Sequence, residues 1–324
     1  MKKIILSFLV VFLCGCNTRD EPQPFTQGNS LILDRFIDMD IAENESVWAV
    51  SDDGTVVYSD IYYREGRRKS IENFGYLTGI DMISNTNGWA IAGINGIMHW
   101  DGKNWEKYTS ADLSKTTPLL DIDFVNENSG WIVGCDFHNE DASSVLLYWN
   151  GAKWDKISLY ASLGYDIFCL TAVDAISETN TWIVGKKTDT SFASIVLHWD
   201  GNNWTEIFTP SSMQEPHTIS ATSNDNVWVG SLMQNIFHWN GETWSHFELP
   251  IAHSETLAQR TFALLSISPD NVWAGGKQLF HWDGTTWENK NYNGHNGNIV
   301  AIQSAPNGNV WALTDTGVVM ELAK

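Results

Sequence analysis

The side chains able to do chemistry in this chain are many carboxylates, nine histidines, four cysteines and seventeen tryptophans. Asp136, His138 and Glu140, with Asp141 beside them, fall within six residues. Such a run has two readings, a loop for calcium or another hard cation and an acidic solvated turn. Downstream, Tyr160, Tyr165, Asp166, Lys186 and Lys187 mix rings with charges, a set that suits a glycan, a small molecule or a protein surface equally well. The motifs of nucleophilic and metallohydrolase catalysis, Gly-x-Ser-x-Gly and His-Glu-x-x-His, are absent, as is a Gly-rich phosphate loop. Six arginines, three of them in Arg64, Arg67 and Arg68, are too clustered to clamp a carboxylate from separate directions. A carboxylate pair for glycoside hydrolysis stays open, because 39 acidic residues offer many pairs. The same 39 acids against 19 basic residues argue against a nucleic-acid partner. No cofactor and no metal is expected, and catalysis is held as the alternative to binding.

The remaining chemistry is at the start of the chain. Lys2 and Lys3 precede an apolar run over residues 4–13 that only Ser7 interrupts, too short to span a bilayer. It closes on Leu13-Cys14-Gly15-Cys16, which resembles the bacterial lipobox. That resemblance implies a signal peptide over residues 1–15, lipidation of Cys16 and a membrane anchor. Asn17, standing where an Asp would favour inner-membrane retention, directs the expected lipoprotein to the outer membrane of the cell envelope. Residues 16–29 are polar, hold Pro22 and Pro24, and read as a tether.

What positions the candidate residues is a repeat. Trp48, Trp89, Trp131, Trp182, Trp228, Trp273 and Trp311 each open a short apolar run such as Trp131-Ile132-Val133-Gly134. Five further tryptophans sit in copies of His-Trp-Asp-Gly, for example His99-Trp100-Asp101-Gly102, with Tyr148-Trp149-Asn150-Gly151 as a variant. Each of those has another Trp five residues on, Trp105, Trp154, Trp204, Trp244 and Trp287, so the pattern absorbs every tryptophan. Units of about 41 residues, with apolar segments of four to seven residues bounded by turn residues, fit a four-stranded propeller blade. The expected fold is all-β: residues 30–324 form a seven-bladed β-propeller of four-stranded blades. The last unit ends after three strands, so an N-terminal strand at residues 30–33 is expected to close the last blade.

These residues resemble bacterial propellers with Trp-Ala-Val-Gly and His-Trp-Asp-Gly-x-x-Trp repeats, distantly like the Asp-box (BNR) and photosystem II assembly-factor-like propellers. The resemblance implies the scaffold and not an activity, since the Asp-box pattern Ser-x-Asp-x-Gly-x-x-Trp is missing from all five copies. Histidines 99, 198, 238 and 281 fall in different blades and cannot converge on a metal. Hydrogen bonding near the turn is their expected role.

Variation between repeats marks a face. Trp131 and Trp149 are 18 residues apart, and Trp182 and Trp199 are 17 apart, against 11 from Trp89 to Trp100. The third and fourth blades therefore carry insertions on the face that holds the long connections, where recognition is expected. Cys135 and Cys169 fall there too, in neighbouring blades of a protein expected in an oxidising compartment. They read either as a disulfide or as two separate thiols. The expected function is a non-enzymatic lipoprotein, held to the membrane by lipid, that binds a glycan, a small molecule or an envelope protein on that face. A carbohydrate-active enzyme and an assembly factor are the alternatives.

Overall fold

The computed structural model describes residues 35–60, 67–70, 75–93, 96–108, 117–136, 143–187, 193–232, 235–250, 261–290 and 297–323. The strands, β1–β27 in chain order, are joined by antiparallel pairing into successive sheets, and one short helix, α1 (Tyr160–Leu163), interrupts them. Seven innermost strands stand around a common axis: β1 (Phe36–Ile41), β5 (Leu77–Ser84), β9 (Leu119–Asn126), β13 (Ile167–Ser177), β17 (Thr218–Ser223), β21 (Ala263–Ser268) and β25 (Ile299–Ser304). Each packs against the next, and β25 packs against β1, so the ring closes as a β-propeller. Blades 1–6 have four strands each among the described residues. Blade 7 has three, β25, β26 (Val310–Thr314) and β27 (Val319–Ala323). The closing strand expected at residues 30–33, like the signal segment and Cys16, lies outside the described residues.

Burial explains the composition of each strand. The second strand of a blade is covered by neighbouring blades on both sides, so β2 (Ser46–Ser51) and β26 are buried at every residue and read as continuous apolar runs. In blades 2–6 the second strand ends at or beside a glycine, Gly93, Gly134, Gly185, Gly230 and Gly275, where Ser51 and Thr314 stand in blades 1 and 7. A Cβ at Gly134 would stand 2.1 Å from the Pro118 carbonyl oxygen, and one at Gly185 2.2 Å from that of Cys169. Only glycine lets the inner strand come that close.

Between blades the tryptophans fill the widening gap. Trp89 of blade 2 contacts Trp149 and Trp154 of blade 3, with ring centroids at 4.8 and 5.5 Å. The same wedge recurs for Trp131 against Trp199 and Trp204, and for Trp228 against Trp282 and Trp287. Tilted and edge-on ring pairs of this kind each add about 1 kcal/mol beyond the area they bury. At the opposite end of the third strand, Asp-Gly acts as a four-residue loop. Gly102 has φ 89°, and Asp101 Oδ1 accepts the backbone N–H groups of Lys103 and Asn104 at 2.8 and 2.6 Å.

The histidines of the repeat take the hydrogen-bonded role expected of them. Each faces the Trp of the adjacent strand and stacks on it, as in Trp228 with His238 at 4.1 Å. Its Nε2–H donates to an Asn two residues before that Trp: His99 to Asn87, His198 to Asn180, His238 to Asn226 and His281 to Asn271, at 2.8–3.0 Å. In blades 1 and 3, Tyr58 and Tyr148 replace the histidine, and Ser46 and Ser129 replace the asparagine. Blade 7 swaps in Glu321, which accepts from Asn309 Nδ2 at 2.8 Å.

Candidate functional site

The innermost strands are sheet edges, and their outward N–H groups point at the central channel, where no further strand can satisfy them. This chain supplies acceptors from the preceding blade. Asp38 and Asp40 of β1 accept from the backbone N–H groups of Ile80 and Met82 in β5, at 3.0 and 2.7 Å. Asp81 accepts from Phe124 at 2.6 Å, and Asp121 from Val173 at 2.8 Å. Asp123 accepts from Ala175, and Asp174 from Ala221 at 3.0 Å. Ser220 Oγ does the same for Ser266 at 2.9 Å. The next two seams carry main-chain bonds: Ile299 N–H donates to the Gly276 carbonyl at 2.7 Å, and Phe36 N–H to that of Asp315 at 3.0 Å.

The result is a cavity of about 400 Å³ on the axis, lined by the seven inner strands. Its wall is chemically lopsided. Directly opposite the repeat tryptophans stand Asp40, Asp81, Asp123 and Asp174 in blades 1–4, then Ser220, Leu265 and Gln303 in blades 5–7. Asp38 and Asp121 form a second tier nearer the face of the long connections, where Phe262 is exposed at the rim. No Lys or Arg is among the described residues that line it. Burial therefore raises every one of these carboxyls: Asp38 and Asp174 to about 7 and Asp121 to about 8, against the partial relief of their backbone hydrogen bonds. Asp40 is raised too, again chiefly by burial. Asp81 is pushed well up by burial and then by the charge of Asp40, against the relief of its hydrogen bonds to Phe124 and Asp123; Asp123 is pushed well up by burial and then by the charges of Asp81 and Asp174.

The residues singled out from sequence lie elsewhere. Of Tyr160, Tyr165, Asp166, Lys186 and Lys187, none lines the channel. Asp136 ends β10 (Ser129–Asp136) opposite Ser143, whereas His138 and Glu140 fall outside the described residues. Tyr160 is exposed on α1, and Asp166 lies between α1 and β13. The structure does bring Tyr165 and Lys187 together: both bind Glu206 of β16 (Trp204–Ile207), with the ammonium 5.4 Å from the centre of the tyrosine ring. Burial and Glu206 push the Tyr165 hydroxyl up. Lys186 pairs separately with Glu215 at 3.4 Å. Cys135 and Cys169 form a disulfide with Cα atoms 4.6 Å apart, at the one register point where β10 pairs with β13 and joins blades 3 and 4 into a continuous sheet. Among the described residues no group of three or more His, Cys, Asp or Glu is placed to hold a metal ion.

The channel aspartates carried a signal that sequence reading passed over. Asp40, Asp81, Asp123 and Asp174 each stand eight residues before a repeat Trp, and Asp38 and Asp121 stand ten before. No motif marks the position, since the aspartate stands among apolar residues, as in Gly79-Ile80-Asp81-Met82, and only its distance from the Trp recurs.

Comparison of the sequence with family models and with curated proteins finds no match. Solved structures do match, and they are β-propellers. YCF48 from Cyanidioschyzon merolae is 14% identical, with a TM-score of 0.66 over 93% of this chain and 98% of its own. An inactive virginiamycin B lyase from Staphylococcus aureus, solved with quinupristin, is 10% identical, with a TM-score of 0.72 over 92% of this chain and 98% of its own. The extracellular domain of BT4673 from B. thetaiotaomicron is 13% identical, with a TM-score of 0.67 over 93% of this chain and 39% of its own. YCF48 has also been solved bound to a D1 peptide. At these identities the likeness is one of fold.

Proposed function

We propose that this chain is a non-enzymatic lipoprotein of the outer membrane, anchored through Cys16, that holds a protein partner by a basic extended segment at the mouth of its channel. One observation carries the reading: blades 1–4 present six carboxyls to the channel, with no cation among the described lining residues. Burial keeps protons on them up to about neutral pH, and an approaching lysine or arginine would favour their ionised form, so charge complementarity selects cationic segments over glycans or anionic small molecules. The neighbouring YCF48, whose structure holds a peptide, supports a propeller face as a peptide platform. A glycosidase needs two carboxyls facing each other across a substrate, about 5–9 Å apart. Here all six carboxyls already accept a backbone N–H of the next blade, a use that ties the seams together.

The test is calorimetric titration of the domain, from residue 16 with Cys16→Ala, with a lysine-rich and a glutamate-rich decapeptide. The expected result is salt-sensitive binding of the first alone, weakened at least tenfold in Asp38→Asn/Asp121→Asn. Equal affinity for both peptides would overturn the reading, as would cleavage of a glycan substrate. Fractionation of cells making the full chain checks the anchor: wild type is expected with membranes and Cys16→Ala in the soluble fraction.

A further inference from the structure

The channel acids are also the ties between blades, and the two roles respond to protons in opposite senses. Asp38, Asp40, Asp81, Asp121, Asp123 and Asp174 bridge the seams 1–2, 2–3, 3–4 and 4–5 through hydrogen bonds to the next inner strand. A protonated carboxyl keeps its carbonyl oxygen for that bond and adds no charge to the cavity. An ionised one accepts more strongly, but it sets like charges side by side on one wall. The surroundings give no counter-charge. Among the lining residues, β1, β5, β9 and β13 present only these acids as titratable groups. His217, just before β17, is the other one, and β21 and β25 present none.

We propose that the channel is a proton-responsive latch: the seams between blades 1 and 5 are tight while its aspartates hold protons, and they loosen as those aspartates ionise. The seams between blades 5 and 1 on the far side are indifferent to this change, since they are tied by Ser220 and by main-chain bonds. The disulfide between Cys135 and Cys169 holds the 3–4 seam covalently, so loosening falls on seams 1–2, 2–3 and 4–5. Asp38, Asp121 and Asp174, raised to about 7 or 8, place the change around neutral pH. The sign follows from linkage. An unfolded or opened chain releases these protons near pH 4, the closed ring near 7 to 8, so closure is favoured at the acid end of that window and weakened through its upper end.

Hydrogen exchange on the domain described above tests the latch at pH 6 and pH 8.5, with rates corrected for intrinsic base catalysis. Protection of the Met82, Phe124 and Ala221 amides is expected to fall at least tenfold at the higher pH, while that of Leu264 and Ile302 in blades 6 and 7 holds. In Asp38→Asn/Asp40→Asn/Asp81→Asn, which removes every titrating tie of seams 1–2 and 2–3, the pH dependence at Met82 and Phe124 is expected to vanish. A second measurement needs no variant: carbon-13 titration of aspartate carboxyls in the wild type is expected to show midpoints near 7 and 8. Unchanged protection across the two pH values, or midpoints all below about 5, would overturn the proposal.

Discussion

At the residue scale, the most economical device in the ring is Asn226. Its Oδ1 accepts from Trp228 Nε1 at 2.8 Å and from His238 Nε2 at 2.9 Å. Its Nδ2 donates to Thr222 and Ser266 at 2.6 and 3.1 Å, and the last of these lies in the next blade. Asn226→Ala strands two buried donors, which is expected to cost about 1–3 kcal/mol in urea unfolding. Burial lowers the His238 pKa to about 4, so its contribution to stability is full above the unfolded value near 6.5 and drains away as pH falls toward 4. The native pairs Ser46 with Tyr58 and Ser129 with Tyr148 suggest the repair. Asn226→Ser/His238→Tyr is expected to be more stable than either single variant and to lose that acid-side dependence, read by melting temperature at pH 4.5 and 7. Additive single effects would show that the pairing is coincidental. The asparagine was invisible from sequence as a partner because its role lies in a two-residue offset within one strand and a register with another.

At the element scale, the paired strands were legible and the contacts between blades less so. Turn residues and apolar runs mark a strand locally, whereas which side chain meets the next blade depends on bulges such as those between Phe36 and Asp38 and between Leu77 and Gly79. Cys135 and Cys169 illustrate the gap. Sequence placed them at one face of adjacent blades, and only register puts them opposite each other. Breaking the bridge with Cys135→Ser/Cys169→Ser is expected to lower unfolding free energy by up to about 4 kcal/mol, the loop-closure term for the 34-residue separation. Equilibrium urea unfolding with and without reductant checks this: reductant is expected to weaken the wild type and leave the double variant unchanged.

At the scale of the whole molecule, the tryptophan grid announced a ring, and the structure adds how the ring is held. Among the described residues β27 has no partner on its outer side, so a strand from upstream is expected there. Deletion through Leu33 is expected to lower the melting temperature by several degrees relative to the chain from residue 16, because a sheet edge and the circular closure are lost together. A second deletion, through Gln27, locates the strand, since the shortest outer-to-inner crossing among the described blades, from Ser70 to Leu77, is longer than the stretch from Leu33 to Phe36. Identical melting of all three proteins would show that the last blade stands on three strands. The candidate site was less legible than the fold because the loops chosen for their length lie off the axis, whereas the channel is built from the most regular part of the repeat.

A perfectly repeating ring has seven indistinguishable settings, and a partner arriving on its axis could dock in any of them. Here four consecutive blades carry the acids and three do not, so the axis has a compass bearing. A partner bound as proposed would thereby be confined to one rotational setting, and the rim residues of particular blades, Phe262 of blade 6 among them, would take fixed positions relative to it. A fold made of near copies gains an address by departing from symmetry at its centre.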